Sequence, residues 1–141
     1  MAHINDNEKG DKIPRPSLNH DNIKRWITCN ADEEMISFVE VSAKYMAQEK
    51  MTTSQIRNIY GEIKRIQMNY EAERVAFLLL KPKVAYMLAR NKNNDGLKLF
   101  NEIFKAAAQH VVNDSTYTNF CNMMEALVAY HRVYEEENKK N

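Results

Sequence analysis

Lys83 and Arg90 stand seven residues apart in LLLKPKVAYMLARN, and Lys98 and Lys105 repeat that spacing one segment later. Seven residues are close to two helical turns, so each pair lies on one side of its helix. In TTSQIRNIYGEIKRI, Lys64 and Arg65 fall within about 80° of Arg57 on a helical wheel, with Gly61 in their midst. Three successive helices therefore each carry cations on one side. If those sides converge, the result is a groove that follows a phosphodiester backbone by displacing its counterions, an attraction that weakens steeply with salt. The same spacing also arises where lysine and arginine simply decorate solvated helices.

Catalytic chemistry finds less support. Four histidines are present, His3, His20, His110 and His131. His131 lies among Met124, Leu127 and Val128, the setting of a packed histidine rather than a general base. Its nearby carboxylate, Glu125, is six residues away and so on the other side of the helix. The sequence holds no His-Glu-x-x-His, no zinc-spaced Cys/His cluster and no phosphate-binding glycine loop. No catalytic residue, metal ligand or cofactor is expected.

The elements that must position the cations are helices. Three glycines and three prolines among 141 residues, with Ala, Met, Leu, Glu, Lys, Gln and Arg in abundance, describe packed helices joined by short turns. The fold class is all-α, a compact bundle of about five to six helices. Residues 1–19 read as a mobile tail, 20–136 as one helical domain, and 137–141 as a frayed end. LNHDNIKRWI is a short helix; a cap at Asn30 opens the next, with Met35, Phe38, Val39, Ser42 and Met46 on one face. Thr52 and Gln55 form a capping box ahead of the Ile56, Ile59, Tyr60, Ile63, Ile66 stripe. A helix from near Glu71 meets Pro82, where it must kink or restart because proline lacks the amide hydrogen. A break there would let Lys81 and Lys83 leave an otherwise apolar element. Leu97, Phe100, Ile103, Phe104, Ala107 and Val111 line a further helix. Asp114 or Ser115 caps the last, which buries Tyr117, Phe120, Cys121, Met124, Leu127, Val128 and His131.

Charge is unevenly spread. The net formal charge is +1, yet residues 51–105 carry ten basic and five acidic side chains, while both flanking segments are net acidic. A local field, not the overall sum, is what a polyanion meets. Cys29 and Cys121 lie outside any Cys-x-x-Cys pattern, and no apolar run approaches the roughly 20 residues of a membrane span. A soluble, cytoplasmic protein with reduced thiols is expected, without a membrane partner.

TTSQIRNIYGEIKRI, LLLKPKVAYMLAR, LKLFNEIF and NFCNMMEALVAYHR, in this order, closely resemble the Csm small-subunit family of type III-A CRISPR effector complexes. The TSQIR helix start, the L-K-P-K segment and the E-A-x-V-A-Y-H close carry the likeness over residues 50–134. The resemblance implies a non-catalytic helical bundle in a prokaryotic cytoplasm. Copies stack side by side into a minor filament, beside the backbone and large subunits, and contact guide RNA and target RNA through basic side chains. The candidate contacts are Arg57, Lys64, Arg65, Lys81, Lys83 and Arg90, with Lys98 and Lys105. Two other readings remain: a helical protein–protein adaptor without RNA contact, and the equivalent subunit of a type III-B complex.

Overall fold

Short polar side chains start the helices. Asn19, Asp32, Thr52 and Asn94 each accept a hydrogen bond from the backbone N–H three residues on, at 2.9–3.2 Å. Such caps satisfy donors that the first helical turn leaves unpaired. At Thr52 the box is complete, because the Gln55 side chain accepts from the Thr52 N–H in return. The computed structural model describes residues 12–140, and its helices are α1 (His20–Thr28), α2 (Glu33–Gln48), α3 (Thr53–Gln67), α4 (Arg74–Arg90), α5 (Asp95–Ala108) and α6 (Asp114–Lys140), of which α4 starts without a side-chain cap. No strand occurs among the described residues, and the fold is an all-α bundle.

Two expected caps move. Asp32, not Asn30, opens α2, since only Asp32 places its carboxylate on the Met35 N–H. Ahead of α6 it is Asn113 that accepts from the Thr116 N–H, while the Thr116 hydroxyl accepts from Val112 and Asn113. Pro82 does not make α4 restart. The helix continues through it to Arg90, with one amide donor missing opposite the Leu78 carbonyl. Leu78 and Pro82 both face outward, so that carbonyl need not be desolvated without a partner. Residues 1–11 of the expected tail, with His3, and Asn141 at the other end lie outside the described residues. Within the rest of the expected tail, the Ile13 backbone N–H donates to Gln48 Oε1 at 2.9 Å and its carbonyl accepts from Gln48 Nε2 at 3.1 Å.

α6 is the pillar. It contacts α1, α2, α3 and α5, most extensively α2, and its apolar face is buried as the periodicity implied. Tyr70, Phe77, Phe104, Tyr117 and Phe120 form a continuous aromatic cluster, with centroids 4.8–5.8 Å apart. Geometries of this kind add to area burial, by about 0.5–1.5 kcal/mol a pair. The Tyr117 hydroxyl, pushed well above the ordinary phenol range by burial, donates to the Ile63 carbonyl at 2.7 Å and so ties α6 to α3. α4 is the outlier: its backbone approaches only α3 and α5, and it reaches α6 through the Phe77 ring against Tyr117 and Phe120. Phe77, Leu80 and Val84 anchor it, and the remaining apolar side chains of its outer surface have no partner among the described residues.

Gly96 explains how α5 reaches α2. A Cβ there would stand 2.8 Å from the Met46 carbonyl oxygen and 2.9 Å from Met51 Cβ. Backbone cannot yield as a flexible side chain can, so Gly96→Ala is expected to destabilise the chain by about 1–3 kcal/mol in denaturant unfolding. His131 makes a second prediction. It is 0 % exposed, Nε2 lies 2.6 Å from the Met51 carbonyl oxygen, and Nδ1 has no partner among the described residues. Burial lowers its pKa below the ordinary histidine value, against the opposing pull of the Met51 carbonyl and Glu135. The unfolded chain therefore binds a proton near pH 6.5 that the folded chain still refuses, so stability present above that pH falls as pH drops toward the folded pKa. Wild type should lose up to about 1.4 kcal/mol more per pH unit in that window than His131→Gln, measured by urea unfolding.

Candidate nucleic-acid interface

α3 presents its isoleucines inward and the side chains of Ser54, Arg57, Lys64, Arg65 and Met68 outward. Its two flanks meet different neighbours. On one flank α3 and α4 enclose an open groove of about 600 Å³ with Ile59, Pro82, Tyr86 and Met87 as its floor. Asn58, Glu62, Lys83 and Arg90 stand around it. The Arg90 guanidinium lies 5.7 Å from the Tyr86 ring centroid, and the Tyr86 hydroxyl accepts from Arg90 Nη1 at 3.4 Å. On the other flank, near the α3 N-terminus, Arg57 joins Arg132 and Lys139 of α6 around a second depression of about 320 Å³. Glu135 and Glu136 share that depression: the Glu135 carboxylate is spent on the Thr53 N–H at 3.2 Å and the Thr53 hydroxyl at 2.7 Å, and Glu136 pairs with Lys139 at 3.7 Å, which leaves Arg57 and Arg132 as its unpaired cations among the described residues.

The cations that sequence spacing singled out divide into two groups. Lys64 pairs with Glu125 at 3.4 Å and Lys98 with Asp95 at 3.4 Å. Arg65 reaches Glu62 at 2.9 Å and Glu73 at 3.1 Å, and these carboxylates raise its pKa further. In return Arg65, with a smaller contribution from the field of Lys83, holds Glu62 below the ordinary carboxylate range. Arg57, Lys81, Lys83, Arg90 and Lys105 have no carboxylate within 4.0 Å among the described residues.

Lys83 and Arg90 are brought together at the α3/α4 groove. Arg57 is on the opposite flank of the α3 surface, about 100° around the helix from Asn58. Lys81, two residues from Lys83, is carried about 200° round α4 and leaves the groove. Lys98 and Lys105 line neither depression. The spacing thus yields two basic patches flanking the outer face of α3, not one trough running over three helices. Arg132, Lys139, Asn58 and Tyr86 were not among the candidates. Tyr86, lying between Lys83 and Arg90 in sequence, had a local signal; Arg132 and Lys139 join Arg57 only because α6 packs on α3, which spacing does not encode.

Other chemistry is scarce at these surfaces. Cys29 and Cys121 are free thiols, and burial lifts Cys121 to a pKa of about 11, which keeps it protonated and unreactive. No group of three His, Cys, Asp or Glu able to hold a metal occurs among the described residues, and none of their helices is long and apolar enough to cross a membrane.

The model of the family described as Csm2 Type III-A matches residues 30–137. No curated protein and no solved structure gives a match. The matched region begins just ahead of α2 and ends near the close of α6, taking in the caps of α2, α3 and α5, the α3/α4 groove and most of the α6 pillar. With well over half its length matched, the chain belongs to the Csm2 type III-A family, the small subunit of type III-A CRISPR effector complexes.

Proposed function

We propose that this small subunit binds the RNA of its complex through the two basic patches beside α3, and that it serves assembly and RNA positioning without catalysis of its own. The observation that carries the reading is the division of the cations. Arg57, Lys83 and Arg90 are left without a carboxylate among the described residues, while Lys64, Arg65 and Lys98 are partly neutralised within the chain. Unpaired cations held on rigid helices suit phosphates, because the positioning cost is already met by the fold. Lys64, Arg65 and Lys98 would have to trade a carboxylate for a phosphate, and Lys81 and Lys105 would serve only RNA passing outside the groove. Such contacts read backbone and shape, since a guided complex leaves sequence to base pairing.

Stacking of copies into a minor filament, beside backbone and large subunits, belongs to the same proposal. Its support is the outer surface of α4, where Val75, Leu78 and Leu79 are 51–69 % exposed. Contiguous apolar side chains on a helix exterior suit protein contact. That surface also favours the adaptor reading, in which partners bind and RNA does not. The type III-A match disfavours a type III-B origin. Side-by-side copies would raise one another's effective concentration on RNA, so affinity would belong to the assembly.

The test replaces Arg57, Lys83 and Arg90 with glutamate together and measures target-RNA binding by the reconstituted complex across a salt series. Affinity should fall at low salt, and the slope of log K against log salt should shrink by about 0.7–0.9 for each phosphate that is no longer neutralised. Unchanged affinity and slope in an intact assembly would sink the RNA reading and leave the adaptor.

A further inference from the structure

Two glycines lie inside helices, and only one has a reason within the chain. Gly96 is pressed against the Met46 carbonyl, whereas a Cβ added to Gly61 would meet no other atom within 4 Å among the described residues. Glycine in a helix interior is unfavourable relative to alanine, and at Gly61 neither positive φ nor a packed neighbour calls for it. The open space over Gly61 would let a group from outside the chain approach the α3 backbone. On the helix surface Gly61 lies between Arg57 on one side and Asn58 on the other, next to the α3/α4 groove.

The groove is shaped for a flat, partly polar group. Tyr86 is exposed, with Arg90 steadying its ring, and Pro82 and Met87 continue an apolar floor. The amides of Gln55 and Asn91 are committed to one another at 3.4 Å, while Asn58 makes no side-chain hydrogen bond among the described residues. Glu62, ionised beside Arg65, adds acceptor capacity at the rim. Aromatic floor, free amide, carboxylate acceptor and two unpaired cations are what a single nucleotide uses. An apolar partner helix pressed into the same place would bury Asn58, Lys83 and Arg90 without a counterpart.

We propose that an RNA strand crosses α3 at Gly61 and seats one unpaired nucleobase in the groove between α3 and α4. This rests on the RNA reading above and narrows it: the base stacks on Tyr86, Asn58 and Glu62 meet its edge, and Lys83 and Arg90 meet the adjoining phosphate.

Two measurements test it. The full chain is titrated by NMR with the four nucleoside monophosphates and with ribose 5-phosphate at millimolar concentration. Nucleotides should shift the Tyr86 and Asn58 resonances while ribose 5-phosphate does not, and Tyr86→Ala should weaken nucleotide binding at least about five-fold. Equal response to ribose 5-phosphate, or none to any nucleotide, overturns the base seat. Gly61→Ala should raise the melting temperature of the isolated chain by a few degrees while lowering target-RNA affinity of the assembled complex. A stabilised variant with full RNA affinity overturns the crossing. If the triple charge reversal weakens RNA binding and Gly61→Ala and Tyr86→Ala do not, this inference fails alone. If no variant does, both readings fail. Loss of subunit co-purification by Gly61→Ala in nuclease-treated complex assigns the approach to a protein neighbour and overturns the proposal as well.

Discussion

The Tyr117 hydroxyl on the Ile63 carbonyl, in the middle of the aromatic cluster, fixes how α3 lies on α6, and both surface patches inherit their geometry from that contact. With α3 so held, its packed stripe from Ile56 to Ile66 must face the core, and the side chains from Ser54 to Met68 on its other side must face solvent. α6 then supplies Arg132 and Lys139 beside Arg57, and α4, anchored to the same cluster through Phe77, supplies Lys83 and Arg90 along the other flank. A buried hydroxyl contributes about 1 kcal/mol when satisfied and costs more than that when orphaned, so the bond is worth more as a positional constraint than as stabilisation.

Where the carboxylates lie matters as much as where the cations lie. Exposed ion pairs contribute little to stability, so Arg65 between Glu62 and Glu73 is weak glue. Such pairs do remove a cation from the local field. Once Lys64, Arg65 and Lys98 are discounted, Arg57 remains unpaired on one flank of α3 and Lys83 and Arg90 on the other, while Arg74, Lys81, Lys92 and Lys105 are unpaired elsewhere in the middle segment, among the described residues. Near-neutral overall charge and a locally positive surface are thereby compatible, and a polyanion responds to the second.

Helix faces were legible in the sequence because burial imposes a 3.6-residue period that side-chain types record directly. The inward residues of α3, α5 and α6 follow it almost without exception, and the Thr52 capping box is a local signal read in place. Asn30 misled because Asp32 offers the same acceptor two residues later, and a cap is decided by which oxygen meets the amide. Pro82 does not end the helix because the cost of proline depends on whether the freed carbonyl is buried, and here the helix turns that side to water. The single trough failed to appear because wheel positions describe one helix at a time. How two wheels are rotated against each other is set by packing, and Lys81 shows the penalty: two residues from Lys83, it is carried to the other side of α4.

α4 has no single apolar stripe from which an inward side could be chosen. Leu78, Leu79 and Leu80 are consecutive, and only Leu80 is buried. The α3/α5 cleft takes Phe77, Leu80 and Val84, which satisfies one side of the helix and leaves Val75, Leu78, Leu79 and Tyr86 facing outward. At about 25 cal/mol per Å², exposed leucines and valine in a row are a persistent cost to a solitary chain. The two lysines bracketing Pro82 moderate that cost, each hydrating a different side of the same helix. Their placement around apolar residues thus suits a helix that is packed within the subunit on one side and presents an apolar surface to its surroundings on the other.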